Sequence, residues 1–212
     1  MGKQERLCSN TCCLAINKYE GSKKQIRDQR RRVDAIYRRA GGVCLGRAPG
    51  ESFERGKFDF PYLRDFLLDR RVFADVSESA TLWSNLLPLY RSCVDSLNAA
   101  IKETGCCGWV GCHVSHTYHS GASLYFTFAW HDTSDRIEVH YDTIKRAIQD
   151  AFIAGGATLS HHHAVGSEHR PWLEQDVSPT GVLAVQGLKA VLDPSGIMNP
   201  GKLIQDSSSA FS

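Results

Sequence analysis

The stretch that decides the fold is Trp109–Trp130, WVGCHVSHTYHSGASLYFTFAW, in the middle of the 212-residue chain. Two runs rich in aromatic and β-branched residues, 109–118 and 123–130, flank His119-Ser120-Gly121. Such runs around a short polar turn are typical of a β-hairpin. A hairpin cannot bury an apolar face by itself, so the flanking segments must supply a covering layer.

The flanking segments predict that layer. Apolar residues recur at helical spacing over 83–104, and a second helix is predicted over 137–154, ended by Gly155-Gly156. A short helix over 61–69 and a strand over 72–77 precede them. After Pro171 the chain again looks helical up to Asp193-Pro194, and its predicted buried stripe is Val182, Leu183, Val185, Leu188 and Val191.

The N-terminal part predicts a β-α-β unit. A strand over 14–19 leads to a helix capped by Ser22 that runs to Ala40, and a second strand follows over 43–45. The whole order predicts an α+β, ferredoxin-like antiparallel sheet with helices packed on one face. The expected organisation is a flexible N-terminus over 1–11, one domain over 12–204 and a disordered tail over 205–212.

Composition narrows the class of protein. The hydrophobic fraction of 42% and the net charge of +2 fit an ordinary globular chain and give no indication of a nucleic-acid partner. There is neither an apolar run long enough to cross a bilayer nor a signal-peptide pattern, so a cytosolic location is predicted. In that compartment the eight cysteines are expected to be free thiols.

Histidines are the residues in this chain most able to carry chemistry. His161, His162 and His163 are adjacent, and they would alternate faces in a strand but could converge in a turn. Imidazoles in a pocket can bind an anion or move a proton. A polar loop with no function explains the triplet equally well.

A second histidine group adds a further alternative. On a regular strand His113 and His119 would share a face while His116 takes the other, which argues against all three binding one metal. A metal site drawn from both histidine groups stays open, although no residue is assigned as a metal ligand.

Two further side chains are candidates. Tyr125 would need a neighbouring cation or a cofactor to ionise readily, and otherwise it is a packed aromatic residue of a strand. Arg64 suits a phosphate, because its planar fork donates paired bonds, but a salt bridge with Asp65 or Asp69 explains it as well.

Four motifs in register resemble one family. They are Thr158–Gly166 (TLSHHHAVG), Thr117–Phe126 (TYHSGASLYF), Tyr62–Asp65 (YLRD) and Asp193–Lys202 (DPSGIMNPGK). Over about residues 14–204 the chain resembles the C-terminal part of the alkyldihydroxyacetonephosphate synthases and their bacterial FAD-linked oxidase relatives.

The resemblance implies roles for individual residues. Tyr125 would be the proton donor and acceptor at the reacting carbon, Arg64 would face the substrate phosphate, and His161, His162 and His163 would line the same pocket. The tail from Asn199 through Lys202 to Ile204 would fold back near the active site and the cofactor. The implied reaction replaces the acyl chain of an acyl-dihydroxyacetone phosphate with a fatty alcohol, and FAD acts as a covalent trap.

The sequence departs from the family pattern at positions that bear on these implied roles. Ala164 stands where the family has glycine, and Gly166 is followed by Ser167-Glu168-His169-Arg170, which leans toward the bacterial FAD-linked oxidases. No glycine-rich segment suits the FAD pyrophosphate. FAD is therefore expected to be bound mainly by a domain absent from this chain, in the same protein or a separate chain.

The sequence thus leaves several functions open. The first is the substrate half of an ether-lipid-forming flavoenzyme that is inactive alone and acts on a lipid phosphate. The alternatives are an FAD-linked oxidase of a hydroxy acid, a non-catalytic interaction domain and, less favoured, a histidine-based metal protein. Peripheral membrane contact and a homodimer are further partner hypotheses.

Overall fold

The computed structural model describes residues 15–204, except for the side chains of Phe60 and Pro61. The chain divides into two compact units, Met1–Leu63 and Arg64–Ser212, with the boundary inside helix α3 (Phe60–Leu68). The segments predicted to be loose, 1–11 and 205–212, lie outside the described residues. That 12–204 forms one domain stays a prediction.

The described part of the first unit is helical. Its helices are α1 (Lys23–Arg39) and α2 (Ala48–Gly56). Ser22 caps α1 as predicted: its backbone N–H donates to Gln25 Oε1 at 2.9 Å, and the Gln25 N–H donates back to Ser22 Oγ at 3.4 Å. This reciprocal pair satisfies N–H groups that the first helical turn leaves free.

The two strands predicted in this unit are wrong. Residues 15–20 and 42–46 are irregular in the structure. Isolated strands of this length leave their backbone groups unpaired unless another strand lies alongside, and none of the described residues does so here. A side-chain bond between Asn17 and the Tyr37 hydroxyl, 3.2 Å long, ties the first segment to α1 instead.

The second unit contains the antiparallel sheet that the hairpin predicts. Its strands are β1 (Val72–Leu82), β2 (Cys107–Thr117) and β3 (Gly121–His131), in the order β1-β3-β2. The predicted hairpin is therefore confirmed as β2 and β3. The strand predicted over 72–77 is confirmed as β1, which continues to Leu82.

Two helices cover one face of this sheet, as predicted. They are α4 (Leu86–Glu103), which follows a 3₁₀ turn at Trp83–Asn85, and α5 (Ile137–Ala154). Alternate β3 side chains point into this layer, and the fully or nearly buried core comprises Leu89, Cys93, Leu97, Leu124, Phe126, Phe128, Trp130, Ile144, Ile148 and Phe152. Burying so many large apolar side chains is the main stabilisation of the unit.

The chain after α5 returns to the free edge of β1. The Thr158 N–H donates to the Ala80 carbonyl and the His161 N–H to the Glu78 carbonyl, both at 3.0 Å. Because the residue numbers rise on one side and fall on the other, the segment runs antiparallel to β1. It occupies the place of the fourth strand in a ferredoxin-like sheet, and this puts the histidine triplet at the sheet edge.

The C-terminal part is held by a smaller core. Helix α6 (Gly166–His169) and a 3₁₀ turn lead into α7 (Leu173–Leu192), which is kinked at Ser178 before Pro179. The buried residues of this core are Leu159, Trp172, Leu173 and Ile204.

The predicted buried stripe of α7 is wrong for three of its five residues. Leu183, Leu188 and Val191 are 66%, 61% and 78% exposed, whereas Val182 and Val185 pack against the smaller core. Among the described residues, only this small core is available to cover α7. No helix of residues 15–204 is long and apolar enough to cross a membrane.

A buried lysine joins three parts of the second unit. Lys145 on α5, 6% exposed, places its ammonium 2.7 Å from the Asp75 carboxylate on β1 and 2.8 Å from Glu168 on α6. The Val76 carbonyl accepts a further bond at 2.9 Å. These bonds fasten the segment after the histidines to the sheet.

Replacing Lys145 with methionine is expected to lower the free energy of unfolding by about 2 kcal/mol, because it leaves two carboxylates without their cation. The partial exposure of both carboxylates keeps the cost below that of a fully buried pair. Urea unfolding measures it, with Lys102→Met, an exposed lysine on α4, as the control. A loss equal to the control would show that this ion pair stabilises nothing.

Candidate active site

The candidate site lies on the face of the sheet that α4 and α5 leave open. Strand register places Glu78 of β1 opposite Tyr125 of β3, and Tyr125 opposite His113 of β2. The three residues therefore form one row across the sheet. Their side chains point away from the core because Phe126, next to Tyr125, points into it.

A β-bulge adds His116 to the same face. The pairing of β2 with β3 shifts between Val114 and His116, so that His116 lies opposite Ser123, two residues from Tyr125. The expectation that His116 would point to the other face from His113 is therefore wrong. The extra residue, Ser115, resets the alternation of side chains at this point.

The histidine triplet forms a turn, and its rings converge. His162 and Ala164 have φ values of 48° and 62°, in the left-handed region that glycine adopts more easily. Ring centroids of successive histidines are 4.7 Å apart for His161 and His162 and 5.2 Å apart for His162 and His163. The turn places all three over the row of Glu78 and Tyr125.

The Glu78 carboxylate is the centre on which these imidazoles converge. Oε1 lies 3.3 Å from His161 Nδ1 and 3.6 Å from His116 Nδ1. Oε2 lies 3.3 Å from His162 Nε2 and 3.2 Å from His163 Nε2. Four histidines from two separate segments thus surround one carboxylate.

Two serines, Ser115 of β2 and Ser123 of β3, hold the carboxylate by hydrogen bonds. Ser115 Oγ donates a short hydrogen bond to Glu78 Oε1 and lies 2.6 Å from Ser123 Oγ, which accepts from the His116 backbone N–H at 3.1 Å. Burial alone would raise the pKa of Glu78. Hydrogen bonds from Ser115 and Ser123 and the nearby His161 and His162 outweigh burial and hold that pKa below its ordinary value of 4.5.

Two polar atoms in the cluster are buried without a well-aligned hydrogen bond among the described residues. They are Glu78 Oε2 and His161 Nδ1. The Glu78 side chain is fully buried, so its charge is compensated by facing imidazoles rather than by water. A buried acceptor of this kind suits a site that is completed by a ligand or by protonated histidines.

Tyr125 and His163 have complementary proton affinities. Their ring centroids are 5.6 Å apart, and the His113 ring lies 4.9 Å from Tyr125 on the other side. Burial and the negative charges of Glu78 and Asp75 raise the pKa of Tyr125. Burial, together with the positive charges of the neighbouring side chains, lowers the pKa of His163 despite the attraction of Glu78.

The consequence at neutral pH is one donor and one acceptor. Tyr125 keeps its hydroxyl proton, whereas His163 is mostly neutral and able to take a proton. No described residue supplies the cation that the sequence required to ease ionisation of Tyr125. Tyr125 is therefore suited to donating a proton rather than to acting as a phenolate.

The other predicted site residues make no hydrogen bond or ion pair with this cluster within residues 15–204. The Arg64 guanidinium is 75% exposed and lies 3.5 Å from the Asp65 carboxylate, which is the salt bridge expected as the alternative to phosphate binding. Within residues 15–204 it makes no hydrogen bond to Tyr125 or the histidines. Asn199 and Lys202 are exposed. The substrate and cofactor roles of these three residues stay predictions.

The tail does return toward the histidines through its backbone and its last described residue. Arg170 Nη1 donates to the Gly201 carbonyl at 2.5 Å, and Ile204 is buried against Leu159, two residues before His161. The Lys189 ammonium also holds the loop, donating to the Met198 carbonyl at 2.8 Å.

Within residues 15–204, two groups of side chains have the chemistry of metal ligands. One atom from each of Glu78, His116, His161 and His162 lies within 4.8 Å of the others, and the same holds for Cys106, Asp132 and His140. In the second group His140 Nδ1 already bonds the Asp132 carboxylate at 2.7 Å, so a histidine–carboxylate hydrogen bond explains it.

Sequence reasoning missed Glu78 and Ser115. Glu78 falls just beyond the predicted end of β1, and a single glutamate in a strand carries no motif. Ser115 hydrogen-bonds to the Glu78 carboxylate only because of the β-bulge. The run Ser77-Glu78-Ser79-Ala80-Thr81 offered one signal, because a charged residue among small side chains of a strand must face water or a partner.

The comparisons with known proteins identify the family of the chain. The family described as FAD linked oxidases, C-terminal domain, matches residues 2–203. This chain belongs to that family.

Relatives within the family sharpen the assignment. The chain is 34% identical over 191 residues to the alkyldihydroxyacetonephosphate synthase of Trypanosoma brucei brucei, covering 90% of this chain and 31% of the relative. It is 36% identical over 192 residues to the Dictyostelium discoideum enzyme of the same name, covering 91% of this chain and 31% of that one. The chain thus spans about a third of the curated relatives it matches.

A solved structure gives the same result. An alkyldihydroxyacetonephosphate synthase structure superposes with a TM-score of 0.59 at 28% identity, covering 86% of this chain and 30% of that chain. The predicted resemblance and the predicted α+β class with an antiparallel sheet are therefore confirmed.

Proposed function

We propose that this chain is the substrate side of a flavin-dependent enzyme that exchanges the acyl chain of an acyl-dihydroxyacetone phosphate for a fatty alcohol. The observation that carries the proposal is the pairing of Tyr125 with His163 over the buried Glu78, in a chain whose relatives carry that enzyme's name. A proton donor next to a proton acceptor is what an exchange between an acid and an alcohol requires.

The roles follow from the proton affinities. The Tyr125 hydroxyl supplies and recovers a proton at the reacting carbon, and the neutral His163 takes the proton of the incoming alcohol. The imidazoles of His161 and His162 face Glu78 and line the proposed pocket for the phosphorylated substrate. Arg64 remains the proposed phosphate contact, and Asn199 and Lys202 the proposed contacts near the cofactor.

The open face of the sheet fits the reacting end of a flavin. Trp109, 60% exposed, lies on the same face as Tyr125 and offers a flat apolar surface. The chemistry that FAD supplies when bound is a covalent trap for the dihydroxyacetone carbon. We infer that a further domain, in the same protein or another chain, binds the rest of the cofactor.

Reconstitution tests the proposal. The chain is fused to the FAD-binding region of the Dictyostelium discoideum relative, and incorporation of isotope-labelled fatty alcohol into the ether product is measured. Incorporation that depends on both parts supports the proposal. A properly folded, flavin-loaded fusion that reduces a dye with a 2-hydroxy acid but incorporates no alcohol would instead establish the FAD-linked oxidase.

The chain alone is expected to bind FAD weakly and to be colourless after purification, because the face that would contact the flavin offers one side of a site. Calorimetric titration with FAD measures this, with the flavin-loaded fusion as the positive control. A stoichiometric, tightly bound flavin in the purified chain would contradict the incomplete site.

Two other functions have their own tests. The ligand set of Glu78, His116, His161 and His162 favours a metal site as the second candidate, and elemental analysis of tag-free protein with no metal removes it. A non-catalytic interaction domain predicts that the fusion carries out neither reaction. Cytosolic location, peripheral membrane contact and a homodimer stay predictions.

A further inference from the structure

Glu78 is a buried charge that neither the sequence motifs nor the family resemblance assigns. Its side chain is fully buried on β1, and the nearest ring nitrogens come from two different segments, the bulged end of β2 and the histidine turn. A buried carboxylate is costly unless it is bonded on most sides, so its retention at the centre of the cluster needs a reason.

The ring nitrogen that faces the carboxylate differs between the histidines. His161 presents Nδ1, whereas His162 and His163 present Nε2. On the far side of its ring, His161 Nε2 lies 2.8 Å from the Tyr118 hydroxyl, which can donate to it.

A neutral imidazole carries hydrogen on one nitrogen, and the other nitrogen accepts. An ionised carboxylate only accepts, so the nitrogen that faces it is the one that carries hydrogen. Ser115 Oγ donates to Glu78 Oε1, and Ser123, which accepts from the His116 backbone N–H, lies against Ser115, so these hydrogen bonds hold the carboxylate in place.

We propose that Glu78 is the positioning residue that sets the tautomers of the histidine triplet: Nδ1–H in His161 and Nε2–H in His162 and His163. Only the catalytic use of these tautomers rests on the proposed function. Its chemical result is that Nδ1 of His162 and of His163 is left without hydrogen, as a proton acceptor for the substrate, while Tyr118 holds His161 from behind.

Nuclear magnetic resonance of the chain labelled with ¹⁵N-histidine tests the proposal. Long-range proton–nitrogen correlations at a pH where the rings are neutral report which nitrogen carries hydrogen. We expect His161 as the Nδ1–H tautomer, the less common form in water, with His162 and His163 as Nε2–H. This readout uses the unaltered chain and needs no variant to fold.

The variant Glu78→Gln keeps the size of the side chain and replaces one acceptor with a donor. We expect at least one histidine to change tautomer, because the side-chain amide of glutamine donates as well as accepts. The control Asp95→Asn removes an exposed carboxylate on α4, away from the open face of the sheet, and it should leave all three tautomers unchanged.

The outcomes separate this inference from the proposed function. His161 found as Nε2–H in the unaltered chain, or tautomers unchanged in a folded Glu78→Gln variant, would overturn the positioning role. Because no flavin or substrate is present, the predicted tautomers can hold even if the fusion fails to exchange acyl and alkyl chains. A fusion that exchanges chains while His161 is Nε2–H would keep the function and refute the inference.

Discussion

Replacing Tyr125 with phenylalanine is expected to lower the turnover of the flavin-containing fusion by about 10²- to 10⁴-fold, the usual effect of losing a general acid–base group. Phenylalanine keeps the ring packed between His113 and His163 but has no proton to give. Because the change removes only a hydroxyl, binding and stability should change little. Incorporation of labelled alcohol under saturating substrate measures the effect.

Tyr90→Phe is the matched control, since Tyr90 lies on α4, 39% exposed, on the opposite side of the sheet. It should keep full turnover. Equal turnover of the two variants would refute Tyr125 as the proton donor. A loss confined to KM would indicate that the hydroxyl binds substrate without transferring a proton.

Replacing Phe126 with alanine is expected to lower the free energy of unfolding by about 3–5 kcal/mol, as for other large-to-small changes of buried aromatic residues. Phe126 is the next residue along β3 but faces the helices, with 0% exposure and its ring 5.9 Å from that of Phe152. Losing it leaves a cavity between the sheet and α5. Urea or thermal unfolding measures the loss.

Phe58→Ala provides the control, because Phe58 is 78% exposed and the same atoms are removed. It should cost little. Equal losses at both positions would show that the helix-facing side of β3 is not the core described above. Together, Tyr125→Phe and Phe126→Ala should separate chemistry from stability at two adjacent residues.

The elements that could be predicted from the sequence are those encoded by nearby residues. The hairpin of β2 and β3, the helix Ile137–Ala154 and the Ser22 cap all rest on patterns within about twenty residues. The strands predicted at 14–19 and 43–45 are wrong, because a short apolar run forms a strand only beside another strand. The buried stripe predicted for α7 is wrong for a similar reason, since an amphipathic pattern does not reveal which other element covers it.

The candidate site could be predicted only in part. The histidine triplet and Tyr125 were found through adjacency and family resemblance, and the structure brings them together. Glu78 was not found, because its role depends on pairing β1 with a segment about eighty residues later in the chain. His116 was placed on the wrong face, because a bulge cannot be read from the alternation of residues.

The histidine segment covers part of an edge that would otherwise be exposed. An unpaired strand edge is a template on which another chain can add, and β1 is eleven residues long. The bonds at Ala80 and Glu78 occupy its C-terminal half. A substitution that releases this segment would thus promote aggregation between chains as well as loss of the proposed activity, because the same residues cover the strand edge and line the candidate site.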